Sequence, residues 1–329
     1  MGNLTRVAVV IVSMACVAAC STGKESGSSS TPQATPQTSA TQPIQQAERA
    51  WDIAYASPSN LDMDQVSIHV VKADGSNDRE LIANAASFPS ASSDGSIVYM
   101  TSSDNGAGAI EVADADGKNV RRVFETDPEK FELAVAPVLS PDGKRIAFIA
   151  GQAFGTAAIH MGNADGSDIH RVVEGPAPIG NFGLAFSPDG QTLVYSKQDD
   201  GGTSLDDTAL YTSRTDGSDQ RRLGGERGAG SPVYSPDGSQ IVYDTITGNT
   251  GTIRVMNSDG SNDRKIADTV GEPFVSAAWS PDGNRIIFAD KTTVGGADNW
   301  ALFVVNADGS DRKMFKERAV LPALRPAMS

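Results

Sequence analysis

Few residues in the body of this chain are of the types that usually perform catalysis. After residue 20 the sequence has no cysteine, and its three histidines are His69, His160 and His170. It contains no Gly-x-Ser-x-Gly nucleophile elbow, no helical zinc motif and no phosphate-binding loop. A hydrolytic triad would need at least one of these histidines to be free of a structural role. Catalysis would otherwise have to rest on carboxylates.

Carboxylates are abundant, and they set the charge of the molecule. The 329 residues include 41 Asp and Glu against 27 Lys and Arg, which gives a formal net charge of −14. Such a surface repels phosphate backbones and anionic lipid headgroups. We therefore expect no nucleic-acid partner and no membrane contact through the folded body.

Both cysteines lie in an N-terminal segment that is typical of an export signal. A positive charge is followed by an apolar run and small residues. The apolar run is shorter than the ~20 residues that a spanning helix needs. Val17-Ala18-Ala19-Cys20 resembles the bacterial lipobox, which implies that residues 1–19 are removed and that Cys20 is lipidated. Acyl chains on Cys20 would hold the protein to the outer leaflet or the periplasmic side of a bacterial cell membrane. The alternatives are a plain cleaved signal and an uncleaved anchor.

Residues 20–48 are rich in Ser, Thr, Pro and Gln and almost free of large apolar side chains. A segment of this composition cannot bury enough surface to offset its ordering entropy, so we expect a flexible tether. A coil of this length spans on the order of 25–30 Å, which would hold the folded body clear of the membrane.

Two short motifs alternate along the remainder of the chain. Ser-Pro-Asp-Gly begins at Ser140, Ser187, Ser235 and Ser280, with a weaker copy at Ser92. Asp-Gly, usually followed by Ser, occurs at Asp74, Asp116, Asp165, Asp216, Asp259 and Asp308. Proline fixes φ, aspartate bonds its own backbone and glycine adopts the left-handed conformation, so both motifs predict hairpin turns. A repeat of ~40–50 residues with four short strands is typical of a propeller blade.

The C-terminus explains why one motif has six copies and the other five. Arg325-Pro326 aligns with the Ser-Pro of the repeat, and Pro322 aligns with a proline that precedes other copies. The last strand is therefore predicted to be the inner strand of the first blade, beside strands at 51–57, 66–72 and 79–83. Because this joins both chain ends in one blade, the sequence predicts an all-β, closed, six-bladed propeller of four-stranded blades over residues 49–329.

The Ser-Pro-Asp-Gly and Ala-Asp-Gly-Ser pattern resembles the TolB-type (PD40) β-propeller repeat over residues 50–326. The resemblance implies a propeller fold. The repeat is found in TolB, a protein of the cell envelope. The same repeat also occurs in propellers of prolyl-oligopeptidase-like enzymes and of some polysaccharide lyases. The resemblance therefore implies a fold and leaves the activity open.

The repeat places each histidine where other blades have unrelated residues. His69 and His160 precede their Asp-Gly turns by five residues, where other blades have Glu, Tyr, Arg or Phe. His170 follows its turn glycine by four residues, where most other blades have Arg. We therefore predict structural roles for all three and no catalytic residue.

Two groups of residues are candidates for binding. A meandering blade places both turn motifs on one face of the disc and the variable connections on the other, where functional loops are expected. Acidic residues in those connections would suit a cationic partner or a divalent cation such as calcium, although the alternative is a solvated acidic surface. These residues are Asp62, Asp64, Asp104, Asp199, Asp200, Asp206, Asp207, Asp290 and Asp298. A second group enters the inner strands at the mouth of the channel, where it would suit a peptide or sugar. It comprises Phe131, Phe182, Arg227, Phe274 and Arg318.

The sequence thus predicts a monomeric, non-catalytic envelope lipoprotein whose propeller binds a protein or peptide and needs no cofactor. The alternative is a metal-assisted lyase or hydrolase that acts on envelope or extracellular polysaccharide, with loop carboxylates as base and metal ligands.

Overall fold

The computed structural model describes residues 51–58, 66–85, 87–102, 108–127, 132–152, 157–174, 183–199, 205–247, 250–270, 276–294 and 297–326. Within these residues the chain forms six antiparallel sheets of four strands each. No helix in the described ranges is long and apolar enough to cross a bilayer. The predicted signal segment 1–19 and tether 20–48, with Cys20, lie outside the described residues.

The strands follow one another along the chain as six blades. The first blade begins with β1 (Trp51–Pro58), β2 (Val66–Lys72) and β3 (Arg79–Ala85). The second contains β4 (Ser87–Ala91), β5 (Ile97–Ser102), β6 (Gly108–Ala113) and β7 (Arg121–Glu125). The third contains β8 (Glu132–Leu139), β9 (Arg145–Gln152), β10 (Ala157–Asn163) and β11 (His170–Glu174). The fourth contains β12 (Leu184–Phe186), β13 (Thr192–Gln198), β14 (Thr208–Arg214) and β15 (Arg221–Gly224), with a short 3-10 helix (Leu205–Asp207) before β14. The fifth contains β16 (Ala229–Tyr234), β17 (Gln240–Thr247), β18 (Thr250–Asn257) and β19 (Arg264–Val270). The sixth contains β20 (Ala277–Trp279), β21 (Arg285–Val294), β22 (Ala297–Asn306) and β23 (Lys313–Glu317), and the chain ends with β24 (Val320–Pro326).

The last strand closes the ring as the sequence predicts. β24 pairs with β1 and forms the inner edge of the first sheet, in the order β24-β1-β2-β3. The register places Trp51 opposite Pro326 and Ile53 opposite Leu324. The prediction of six four-stranded blades joined through the chain ends is confirmed. The outer strand of that blade, β3, runs to Ala85, two residues beyond its predicted end at residue 83.

The core consists of apolar layers between neighbouring blades. Because side chains alternate along a strand, β-branched and aromatic residues of the middle strands face the blade on either side. Between blades 3 and 4, for example, Ile149 and Ile159 pack with Leu184 and Tyr195, all of them buried. Burial of one such side chain contributes about 1.5–3 kcal/mol, so each contact between blades is held largely by apolar burial.

The Ser-Pro-Asp-Gly motif forms the predicted turn. In blade 5, the Ser235 hydroxyl donates to Asp237 over 2.6 Å, and Asp237 also accepts from the Ser239 amide over 3.0 Å. The Gly238 amide donates to the Ser235 carbonyl over 2.8 Å, with φ of +72° at Gly238. This local bonding explains why the motif recurs with little variation.

The Asp-Gly-Ser turns also set the distance between blades. At Gly217 a Cβ atom would lie 1.9 Å from the Val172 carbonyl oxygen of the preceding blade, and φ is +80°. Gly117, Gly166 and Gly260 approach the preceding blade in the same way. The backbone contact therefore requires glycine, both for its conformation and for its lack of a side chain.

Inner strands carry a bulge where a proline follows. Ala136, Ser231 and Leu321 each precede a proline and have positive φ between 44° and 52°. The strand register shifts at each of these places. A left-handed residue other than glycine costs about 1–2 kcal/mol, which the surrounding sheet must offset.

Candidate functional site

Both turn motifs lie on one face of the disc. In blade 3 the Ala164 amide of one motif donates to the Lys144 carbonyl of the other over 2.9 Å. Between blades 2 and 3 the Ser93 amide donates to the Pro141 carbonyl over 3.1 Å. We call this side the turn face. The opposite side, where second strands connect to third strands and each blade connects to the next, is the loop face.

One part of the loop face is organised around Asp199. Its carboxylate accepts from the Arg222 guanidinium over 2.8 and 2.7 Å and from the Tyr211 hydroxyl over 2.8 Å. The Arg222 guanidinium, helped by Tyr211, holds the pKa of Asp199 below its usual value. This bidentate contact fixes the orientation of both side chains. Asp199 is therefore an ionised carboxylate that already has a cationic partner.

The same connection is attached to the next blade. The Asp199 amide donates to the Asp207 carbonyl over 2.9 Å, and the Gly228 amide donates to the Asp206 carbonyl over 3.0 Å. Asp207 also forms an ion pair with Arg227, which stands at the entry to β16. The structure therefore brings together Asp199, Asp206 and Asp207 with Arg227, a residue of the predicted channel-mouth group.

The placement of Asp290 and Asp298 in a loop is wrong. β21 and β22 run on to Val294 and from Ala297, so both aspartates are strand residues. The β-branched run Thr292–Val294 favours an extended hairpin here. Asp298 pairs with Thr293 in the ladder. Asp290 is 4% exposed, and its side chain accepts from the Val270 amide over 3.0 Å.

Arg318 stands at the other described position near the channel mouth. It is exposed, has φ of +54° and stands two residues before the inner strand β24. Its amide donates to the Trp300 carbonyl over 2.7 Å. The remaining candidates lie outside the described residues. They are Cys20, Asp62, Asp64, Asp104, Asp200, Phe131, Phe182 and Phe274.

The histidines occupy blade positions with structural contacts. His69 packs against the Tyr55 ring at 5.5 Å, and His160 stacks on Phe148 at 5.6 Å. Burial lowers the pKa of His160, so this ring is neutral near neutral pH. His170 is exposed at the start of β11, with a ring nitrogen 2.8 Å from the Asp168 carbonyl.

Two polar residues outside both predicted candidate groups occupy the contact between blades 5 and 6. Arg312 lies 4.4 Å from the Phe303 ring centre and donates to Asp290 over 2.5 Å. Asp244 is buried in β17 directly after the apolar run Ile241–Tyr243. The sequence carries one signal that could identify Asp244 as unusual. It is an ionisable residue at a position where the other blades have Ala, Met, Ile or Ser.

Within the part of the chain that the structure describes, no three His, Cys, Asp or Glu side chains are grouped so as to hold a metal ion. The described geometry is thus a scaffold of six blades with a loop face of paired arginines and carboxylates. These features define the class of the protein as a closed six-bladed propeller.

Residues 94–318 match the family model described as the TolB beta propeller domain (PD40), and the chain belongs to this family. Over 82 residues it is 36% identical to the Tol-Pal system protein TolB of Anaeromyxobacter dehalogenans. That match covers 25% of this chain and 18% of that protein, so the curated relative extends well beyond the matched region.

Solved structures show the same architecture. TolB from Acinetobacter baumannii superposes with a TM-score of 0.69 at 18% identity, covering 84% of this chain and 67% of that one. A chain of a nidogen/laminin complex superposes with a TM-score of 0.62 at 14% identity, covering 85% and 99%. At these identities the likeness is one of fold.

Proposed function

We propose that this protein is a lipid-anchored component of the bacterial cell envelope, outside the cytoplasm, whose loop face binds a protein or peptide without catalysing a reaction. One observation carries the proposal. The chain enters the propeller at Trp51, which pairs with Pro326 at the turn-face end of blade 1. A tether that precedes Trp51 therefore leaves from the turn face, and an anchor at Cys20 would leave the loop face directed away from the membrane.

The charge of the turn face supports this orientation. In both motifs a serine hydroxyl donates to the aspartate and holds its pKa below the usual value, as at Asp237 and Asp259. The Asp-Gly motif recurs in all six blades and the Ser-Pro-Asp-Gly motif in five, so their aspartates make a ring of ionised carboxylates. Such a ring repels anionic lipid headgroups, and the propeller would therefore stand off the bilayer on its tether.

The loop face offers groups suited to recognising a polypeptide. The Arg227 side chain is 72% exposed although it is paired with Asp207, and Arg318 is exposed beside the first inner strand. Exposed arginines recognise carboxylates of a partner through paired hydrogen bonds. The metal-assisted alternative needs free loop carboxylates, whereas Asp199 and Asp207 already have arginine partners. One relative is named as a protein of the Tol-Pal system, which favours a protein partner.

Site-specific photo-crosslinking in the native envelope tests the proposal. A photoreactive amino acid would replace Arg227 or Arg318 on the loop face, with Lys118 as the matched position on the turn face. Lys118 is a suitable control because its side chain is 77% exposed. We expect the same crosslinked partner from both loop-face positions and none from Lys118. Crosslinks from Lys118 alone would contradict the proposed binding face.

A Cys20→Ser variant examines the anchor in the same preparation. We expect the variant to leave the membrane fraction, while its loop face still captures the purified partner. A variant that sediments with membranes as the unchanged protein does would contradict the lipid anchor without affecting the assignment of the loop face.

A further inference from the structure

Asp244 is an acid buried inside the propeller wall. It lies in β17, is 2% exposed, and faces Gly230 of the inner strand in the ladder. Its Oδ1 atom has no hydrogen-bond partner among the described residues. The Ser231 hydroxyl and the residue's own amide are the donors near the carboxyl group. An ionised carboxylate with so few donors is costly to bury, whereas a neutral carboxyl group is tolerated.

The alternation of β17 directs Asp244 toward blade 6. Val242 is two residues earlier on the same face of the strand, and it packs with Ala277 and Trp279 of blade 6. The residue of blade 3 that corresponds to Asp244 is Ile149, which packs with Ala136 and Leu184 between blades 3 and 4. Asp244 thus occupies a place where the other five blades have an apolar residue or a serine.

The inner strands around Asp244 are also unusual. Ser231 stands at the bulge before Pro232 with φ of +44°. Ser276 has the equivalent place in blade 6, and its hydroxyl is buried without a partner among the described residues. Thr269 of the outer strand β19 has a buried hydroxyl in the same state. The contact between blades 5 and 6 therefore holds several buried polar groups that have no hydrogen-bond partner among the residues that the structure describes.

Charged groups on this contact do not neutralise Asp244. Asp290 and Arg312 bond to each other, and Arg264 begins β19 at the turn face near Asp308. Because the described neighbours of Asp244 offer no cation, burial raises its pKa to about 7. A proton is the positive charge that this place can accept.

We propose that the contact between blades 5 and 6 is a proton-linked joint, which packs as described when Asp244 is neutral and loosens when that carboxylate ionises. An acid whose pKa is higher in the packed state stabilises that state most fully below its ordinary value of 3.8. This stabilisation is lost as the pH rises through 5 and 6 to about 7, and it changes little above that. His160 acts in the opposite direction, but it stacks on Phe148 away from this contact.

Hydrogen–deuterium exchange of the full-length protein at pH 5 and pH 7 tests the proposal, with labelling times scaled to the intrinsic exchange rate. Linkage allows the opening of the joint to rise by up to about tenfold per pH unit in this range. We expect at least a tenfold loss of protection from pH 5 to pH 7 in β16, β17 and β20. Amides of β12 and β13 in blade 4 serve as the internal reference and should change little.

An Asp244→Asn variant should lose the pH dependence while it keeps the protection seen at pH 5. If that variant does not fold, Asp244→Ser supplies the residue that blade 4 has at this place, Ser196. Equal protection of the joint at both pH values in the unchanged protein would overturn the proposal. So would a pH dependence that persists in a folded Asp244 variant, or an equal loss of protection in blade 4.

Discussion

Replacement of Arg312 by alanine examines how blade 6 is fastened to blade 5. The guanidinium of Arg312 donates to the Asp268 carbonyl of blade 5 over 2.8 Å and to the Asp290 carboxylate over 2.5 Å. It also lies over the rings of Phe288 and Phe303, at 5.0 and 4.4 Å from their centres. One side chain thus joins the outer strand of blade 5 to the middle strands of blade 6.

The expected loss in the free energy of unfolding depends on the groups that lose Arg312 as a partner. The Asp290 side chain is 6% exposed, so Arg312→Ala leaves a buried carboxylate without its cation. Breaking a buried ion pair costs about 3–5 kcal/mol. The Arg312 side chain is 34% exposed, and Asp290 keeps the Val270 and Lys291 amides as donors, so we expect a cost at the lower end of this range. Lost cation–π contacts add about 0.5–1 kcal/mol. We expect Arg312→Ala to lower the free energy of unfolding by about 3 kcal/mol.

Urea unfolding followed by tryptophan fluorescence measures this loss, because Trp279 and Trp300 both belong to blade 6. Arg221→Ala is the matched control, since Arg221 pairs with Asp219 on the surface, where such pairs contribute about 0.2–1 kcal/mol. A second variant that combines Arg312→Met with Asp290→Thr removes both charges and supplies the residue of blade 5 at this place, Thr245. It should recover much of the stability. Equal losses for Arg312→Ala and Arg221→Ala, or no recovery in the double variant, would refute the reasoning.

Two further predictions concern the turns. Gly217→Ala and Gly75→Ala both place alanine at positive φ, at a cost of about 1–2 kcal/mol. The Cβ atom of the first would lie 1.9 Å from a backbone oxygen, whereas that of the second meets nothing within 4 Å. Gly217→Ala should therefore be less stable than Gly75→Ala by a further ~1–3 kcal/mol in urea unfolding, and equal losses would contradict the close contact between blades. In an NMR titration Asp237 should show a pKa of about 2, because hydrogen bonds to its carboxylate, above all the one from the Ser235 hydroxyl, stabilise the ionised form. Its contribution to stability is present above its ordinary pKa and is lost as the pH falls toward 2; Ser235→Ala should raise the pKa, and an unchanged value would contradict the assignment.

The blades were predictable because their signals are local. Pro236, Asp237 and Gly238 act on their own turn through φ and through a side-chain bond to the backbone, with no help from distant residues. Closure needed only the observation that Pro322 and Arg325-Pro326 repeat the spacing of an inner strand. That arrangement is confirmed by the pairing of β24 with β1.

The candidate site was predictable in part, because its residues depend on where strands end and on which long side chains meet. The repeat predicts a loop at Asp290 and Asp298, but β-branched neighbours extend the strands past both. The pairing of Asp207 with Arg227 joins two blades, and that of Arg312 with Asp290 spans 22 residues within blade 6. Neither follows from spacing in one repeat, since side-chain reach between strands is a tertiary property.

Asp244 shows how a departure from the repeat acquires physical meaning only in the folded ring. In sequence it is one acid among 41, at the end of an apolar run. Alternation along β17 turns it toward blade 6, and the inner strand covers it, so the place that holds Ile149 in blade 3 holds a carboxyl group here. A repeat protein offers an internal comparison for each such position. Five blades have apolar or small residues at this place, and only blade 5 has an acid, which weakens the packing at neutral pH. A property other than stability is therefore the simplest reason for its presence.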